Sequence, residues 1–294
     1  MAPERITEQK IWEHVQRLGE QHPPVPLDSV DRTVKDPRAV ADRFAPVIDY
    51  LARVELEVDR NVLELLTLLP DVSEIYRFFY ADVWQPQEIQ HGLILDRLQT
   101  DIGLEASVPM LEVQLEMKVL GALAHIPAIQ EIARLMYYLT GAATERQAVL
   151  AYNTLNKGLL EMDETAIAET IISPIKKQEP GHFAFYQMSA TQMVHSGQLK
   201  PWQLFLTRTL RNWSYTLVGV NGKKKYQEDV GSVLVHLDLA EELSNYAREI
   251  GRLEARLLWA HKQGIEFPGY VLKALRDSVD SYAERLRRQE LAAG

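Results

Sequence analysis

Trp84-Gln85-Pro86-Gln87-Glu88-Ile89-Gln90-His91-Gly92 places a carboxylate and an imidazole three residues apart. On a helix, Glu88 and His91 project from one face, where both can grip the same ion. A second copy of the spacing stands downstream at Glu179-Pro180-Gly181-His182. Two such pairs, each supplemented by a lone inward glutamate from another helix, make a four-helix cage for two metal ions. The reading of the fold therefore turns on whether two lone glutamates occur at the right places.

They do. Glu145 precedes Glu179 by 34 residues, and Glu55 precedes Glu88 by 33. A helix of about 30 residues plus a short turn brings neighbouring helices back to equal depth after that interval. Glu55 has competitors in Glu57 and Glu64. At about 100° per residue, Leu51, Val54, Val58, Val62, Leu65 and Leu69 form an apolar stripe, and Glu55 falls within about 40° of its centre. Glu57 and Glu64 point away from that stripe. Tyr138, Ala142, Val149 and Tyr152 share the face of Glu145. A carboxylate on a core stripe is costly unless something pairs with it, and a divalent cation would. Glu55, Glu88, His91, Glu145, Glu179 and His182 are thus the expected metal ligands, and two divalent ions would balance their four negative charges.

Outward from the motifs, the punctuation predicts an all-α chain. Residues 1–35 form an N-terminal arm with an amphipathic stretch from Ile6 to Leu18, broken by His22-Pro23-Pro24-Val25-Pro26. Asp36-Pro37 supplies a cap and a first-turn proline, opening a helix to about Leu69, where Pro70-Asp71 closes it. The second long helix runs from Val72 or Ser73 to about Ile102, and a shorter covering helix lies between Pro109 and Pro127. The third starts at Pro127 and ends near Met162. The fourth, capped by Asp163, runs to His195. Three further helices are expected over Pro201 to Val220, Gln227 to Gly264, and Phe267 onward, with Asn221-Gly222 as a turn. The whole reads as a single helical domain over 36–294, with the metal-binding bundle at about 37–197 and C-terminal helices at about 201–290.

Composition narrows the chemistry. The net charge of −9 and pI near 5.5 argue against a nucleic-acid partner. The absence of cysteine excludes disulfides, thiolate metal sites and a cysteine nucleophile, so redox chemistry must use a metal or bound cofactor. No signal-like N-terminus and no spanning run of about 20 apolar residues is seen, which predicts a soluble, cytoplasmic protein with no membrane partner.

The motifs resemble those of the soluble acyl-[acyl-carrier-protein] desaturases, within the ferritin-like di-iron carboxylate superfamily. Trp84-x-x-x-Glu88-x-x-His91-Gly92 is similar to that family's second-helix motif, Thr144-Glu145-Arg146 to its third-helix Gln-Glu-Arg, and Glu179-x-x-His182 to its fourth-helix motif. The likeness covers roughly residues 40–195. It implies a ferritin-like four-helix bundle with additional covering helices and two iron ions, manganese or a mixed manganese–iron pair being the alternatives. It further implies a ferredoxin-type electron donor, dioxygen as oxidant, an acyl chain on an acyl carrier protein or another apolar metabolite as substrate, and a homodimer. The competing reading is a non-catalytic ferritin-like bundle that binds metal or ligand without turnover. A channel ending beside the metals would favour the enzyme.

Four positions depart from the family pattern. Ala148 stands where a threonine is common, so proton delivery must come from elsewhere. Gln178 and Gln87 precede the two motif glutamates, the former where an acidic residue usually fixes a ligand histidine; an amide can still accept from imidazole but makes it a weaker donor to metal. Pro180 should kink or bulge the fourth helix within one turn of both ligands. Among other candidates, Lys223-Lys224-Lys225 is either a solvated turn or a docking point for an acidic partner. Tyr138, Tyr152 and Tyr186 are either core residues or proton or radical carriers. His125, His195, His236 and His261 lack partners at ligand spacing.

Overall fold

The computed structural model describes residues 6–68, 73–112, 115–220 and 222–294. Thr7 caps α1 (Glu8–Gln21) by accepting from the Lys10 amide, and Ile11, Val15 and Leu18 are its buried face. The proline stretch that follows then lies along the bundle, where Leu27 N donates to Gln90 at 3.2 Å and Asp31 N to Thr170 at 2.9 Å. Asp36 caps α2 (Pro37–Leu56), accepting from Ala39 N at 2.9 Å as its Asp-Pro sequence predicts.

The first helix is not continuous. It turns at Glu57 and resumes as α3 (Val58–Leu68). Glu57 points off the apolar stripe, yet it is only 1% exposed, because Arg53 (3.0 Å), Arg60 (2.8 Å) and the Met110 amide (3.2 Å) surround its carboxylate. Stripe geometry alone had separated Glu57 from the core; the buried arginines explain how a second carboxylate is accommodated. The expected helix end at Leu69-Pro70-Asp71 and the Val72 start lie outside the described residues.

The second long helix is composite: α4 (Glu74–Arg77), a π-helical stretch over Phe78–Trp84, and α5 (Gln85–Asp101). After α6 (Leu115–Ala124), Pro127 opens α7 (Pro127–Glu161). Asp163 does not cap the next helix; it takes a left-handed backbone (φ 62°) and pairs with Lys35 at 2.7 Å. Glu164 follows it and accepts the Lys35 and Asp36 amides, tying the start of α2 to this corner. α8 (Thr165–Ile167) passes through a second π-helical stretch, Ala168–Ile172, into α9 (Ser173–His195).

Pro180 does not interrupt α9; the backbone irregularity lies two turns earlier, at Ala168–Ile172. Gly181 has a packing reason: a Cβ there would stand 2.3 Å from Leu18 Cδ1, so its absence lets α1 lie close. Gly92 serves α2 and α5 likewise, a Cβ meeting the Leu56 amide nitrogen at 3.0 Å.

The C-terminal third differs from expectation in two places. α10 (Pro201–Ser214) stops before Tyr215, and the stretch expected to be one helix is α11 (Lys224–His236) and α12 (Leu243–Leu258), separated where Asp238 turns left-handed at φ 56°. α13 (Gly269–Ala293) follows. Asn221 lies outside the described residues, while Gly222 has the positive φ expected of the turn. A buried Arg211–Glu254 pair at 2.8 Å, with Thr140 accepting from the same guanidinium, ties α10 and α12 to α7. Among the described residues there is no strand, and no helix is long and apolar enough to cross a membrane.

Candidate metal centre

α2, α5, α7 and α9 each turn a carboxylate toward one interior point. Glu55, Glu88, His91 and Glu179 each offer a donor atom, and these atoms lie within 4.8 Å of one another. Glu88, Glu145, Glu179 and His182 form a second group of the same kind. All six residues singled out from the sequence are therefore brought together and buried. Glu88 and Glu179 belong to both groups, whereas Glu55 belongs only to the His91 group and Glu145 only to the His182 group. Both π-helical stretches lie just upstream of a Glu-x-x-His pair, on the two helices that carry the shared carboxylates.

The donor atoms converge on space and not on each other. His182 Nδ1 is 2.9 Å from Glu88 Oε1, and His91 Nδ1 is 3.3 Å from Glu179 Oε1. Neither Nδ1 meets an oxygen in hydrogen-bonding geometry, and Glu88 Oε1, Glu179 Oε1 and both Nδ1 atoms are buried with no hydrogen-bond partner. Four orphaned polar atoms at one locus are expensive unless something completes them. A pair of cations, each facing one imidazole nitrogen and several carboxylate oxygens, fits that donor set.

The two glutamines that precede the motif glutamates hold the rings crosswise. His91 Nε2 faces Gln178 Oε1 at 2.5 Å, and His182 Nε2 faces Gln87 Oε1 at 2.5 Å. Each glutamine's NH₂ is committed elsewhere: Gln178 Nε2 donates to Pro23 O at 2.7 Å and His22 O at 3.2 Å, and Gln87 Nε2 donates to His22 O. With its oxygen thus pointed at the ring, each amide can only accept. Nε2 must carry the proton, and Nδ1 is left with its lone pair toward the carboxylates when the ring is neutral. Tyr152 donates to Glu55 Oε1 at 2.5 Å, which assigns that tyrosine to the site. Tyr186 borders an aromatic wall with Phe79 and Phe185, and Tyr138 stacks on Tyr76.

Electrostatics divide the carboxylates. Burial and the Glu88 charge push Glu55 well above the usual range. Burial also raises Glu145, to about 8, against the lowering effect of its contact with His182, and the Glu88 and Glu179 charges add to the rise. Burial opposes ionisation of Glu88 and Glu179 too, but Glu55 and His182 hold Glu88 well below its ordinary value, and the two histidines lower Glu179. Burial disfavours charge on His91 and His182; the surrounding carboxylates overcome it, lifting His91 to about 9 and His182 well above its usual value. These shifts move Glu55 and Glu145 toward their neutral forms and both rings toward their charged forms.

A pocket partly open to solvent reaches the cluster. Glu55, Glu88, Glu145 and Glu179 line it together with aliphatic side chains such as Leu51, Val54, Ala151, Val230, Val233 and Leu234. Thr144 and Ala148, one turn apart on α7, share the wall. The i, i+4 spacing of Thr144 and Ala148 is the sequence signal that the Thr144 hydroxyl shares this wall. That α11 closes the pocket has no such signal, since Val230, Val233 and Leu234 carry only a generic helical stripe. His125, His195, His236 and His261 stay outside the cluster, His236 being satisfied by Ser232 O at 2.8 Å. Comparison with protein-family models, curated proteins and solved structures finds no match to this chain.

Proposed function

We propose that this protein is a non-haem di-iron oxidase or oxygenase, built on a ferritin-like bundle, that uses dioxygen to oxidise a C–H bond of an acyl chain or other apolar metabolite. The observation that carries the reading is the pocket: largely aliphatic side chains and the carboxylates of Glu55, Glu88, Glu145 and Glu179, which make up the two overlapping ligand groups, line one cavity. A metal store without turnover has no use for an apolar access route ending at its ligands, and this favours the enzyme over the non-catalytic bundle.

Glu55, Glu88, His91 and Glu179 would hold one ion, and Glu88, Glu145, Glu179 and His182 the other. Bound irons would supply dioxygen activation and C–H oxidation. The chain's own part is to position and to exclude water. Leu51, Val54 and Val233 wrap an apolar substrate, the crossed glutamines fix both rings, and Tyr152 orients Glu55. The Thr144 hydroxyl, one turn from Ala148, is the wall group able to pass a proton. Desaturation would take two electrons and two protons from the substrate, and two of each from a ferredoxin-type donor and solvent, reducing one dioxygen to two waters. A carrier-bound acyl substrate and a homodimer belong to the same proposal through the resemblance.

Anaerobic loading with ferrous iron, then exposure to oxygen with a chemical reductant and a set of aliphatic acyl compounds, tests this. We expect two irons per chain and oxygen uptake accompanied by an oxidised product. Fewer than one iron per chain, or two irons with no oxygen uptake, would overturn it.

A further inference from the structure

The N-terminal arm touches the metal centre without contributing a ligand. Carbonyl oxygens of His22 and Pro23 accept both glutamine amides whose other ends hold His91 and His182. The arm is pinned on either side of that contact. His14 Nε2 lies 2.8 Å from Gly181 O, inside the second Glu-x-x-His motif, and Leu18 packs where Gly181 has no Cβ. Beyond the prolines, Leu27 N donates to Gln90, one residue before His91.

An amide can present either its oxygen or its NH₂ to a ring nitrogen. Presenting NH₂ would require Nε2 as acceptor, placing the proton of a neutral ring on Nδ1, the atom that faces the carboxylates. Two carbonyls on a segment with three prolines are what select the other orientation. Proline removes the competing amide donors from Pro23, Pro24 and Pro26 and stiffens the segment.

We propose that the carbonyls of His22 and Pro23 are positioning groups of the metal centre, so that docking of residues 8–27 and occupancy of the centre reinforce each other. The inference rests on the metal reading above. Coupling of this kind is reciprocal: whatever the docked arm adds to metal affinity, bound metal adds to arm docking.

Zinc(II), which is diamagnetic, tests it in the full-length protein. Zinc stoichiometry is measured first; if no zinc binds, the metal reading itself fails. With zinc bound, amide hydrogen exchange in residues 8–22 and at Leu27 should slow about tenfold, and nitrogen-15 spectra of labelled histidine should place zinc on Nδ1 and the proton on Nε2 of His91 and His182. Zinc binding that leaves arm exchange unchanged, or coordination through Nε2, overturns the arm proposal alone.

The Gln87→Glu/Gln178→Glu variant separates positioning from mere folding. A carboxylate still accepts from each ring but cannot donate to His22 O or Pro23 O. Zinc binding through Nδ1 should persist, while the zinc-dependent protection of the arm disappears. Retention of that protection would overturn the proposal. If the double variant fails to fold, Gln178→Glu alone keeps the test, losing the donor to Pro23 while Gln87 remains.

Discussion

Tyr152 on α7 donates its hydroxyl to Glu55 Oε1 on α2 at 2.5 Å, and this bond fixes a carboxylate that only the His91-containing group uses. Tyr152→Phe should cost about 1–3 kcal/mol of stability, the range for removing a buried hydrogen bond that leaves its partner unsatisfied. It should also weaken binding of one metal ion and not the other. Urea unfolding and a metal titration resolved into two steps check both; equal weakening of both steps would refute the assignment of Glu55 to one group.

Sharing of Glu88 and Glu179 sets the stoichiometry. Glu55→Ala should leave one ion per chain, held by Glu88, Glu145, Glu179 and His182, and Glu145→Ala should leave the other. Glu179→Ala breaks both groups and should reduce tight binding to none. Elemental analysis of the dialysed proteins distinguishes this pattern from six equivalent ligands, for which all three substitutions would act alike.

Glu57 provides the contrasting case on the same helix. It is buried against Arg53 and Arg60, and Glu57→Ala would take the carboxylate from Arg53 and leave Arg60 only Glu64, at 3.5 Å. Removing one partner from a buried ion pair costs about 3–5 kcal/mol. We expect that loss in denaturant unfolding with two metal ions per chain retained; loss of one ion would instead make Glu57 part of the centre.

Glu55 could be preferred to Glu57 from the sequence because a helical period and an apolar stripe carry direction. The six inward residues, the all-helical class and the α7 boundaries were legible for the same reason: they depend on local spacing, prolines and caps. What escaped depends on contacts far apart in the chain. Nothing near Glu57 announces that Arg53 and Arg60 close over it, nothing in Gln87 points to His182 in place of its neighbour His91, and the pocket wall from α11 exists only once Val233 packs back on α2. Pro180 misled because the proline rule is local, whereas the irregularity in this helix falls at Ala168–Ile172.

Metal affinity should rise with pH. Glu145, raised to about 8, and His91, raised to about 9, favour their protonated forms at neutral pH, and Glu55 and His182 are shifted in the same direction. A cation must displace those protons, so binding strengthens as pH increases, roughly tenfold per pH unit for each proton displaced, and the dependence becomes shallower as Glu145 titrates near 8 and His91 near 9. Calorimetry in two buffers of different ionisation enthalpy counts the protons released. A flat affinity between pH 6 and 9 would mean the cluster is already deprotonated.

Ala148 lines the pocket one turn beyond Thr144, on the same helix as Glu145. A larger side chain there would enter the cavity and not the packed interior, so Ala148→Phe should escape most of the 1–3 kcal/mol that overpacking a filled core costs. The ring would occupy the route by which an apolar substrate reaches the carboxylates while all six ligand residues are retained. Two metal ions per chain should therefore remain, and substrate-dependent oxygen uptake should fall at least about tenfold, as expected when binding in a productive position is blocked. Comparing metal content, melting temperature and oxygen uptake separates the outcomes. Unchanged uptake in a folded, fully loaded Ala148→Phe protein would move the substrate to another entrance and remove the pocket as the support for catalysis.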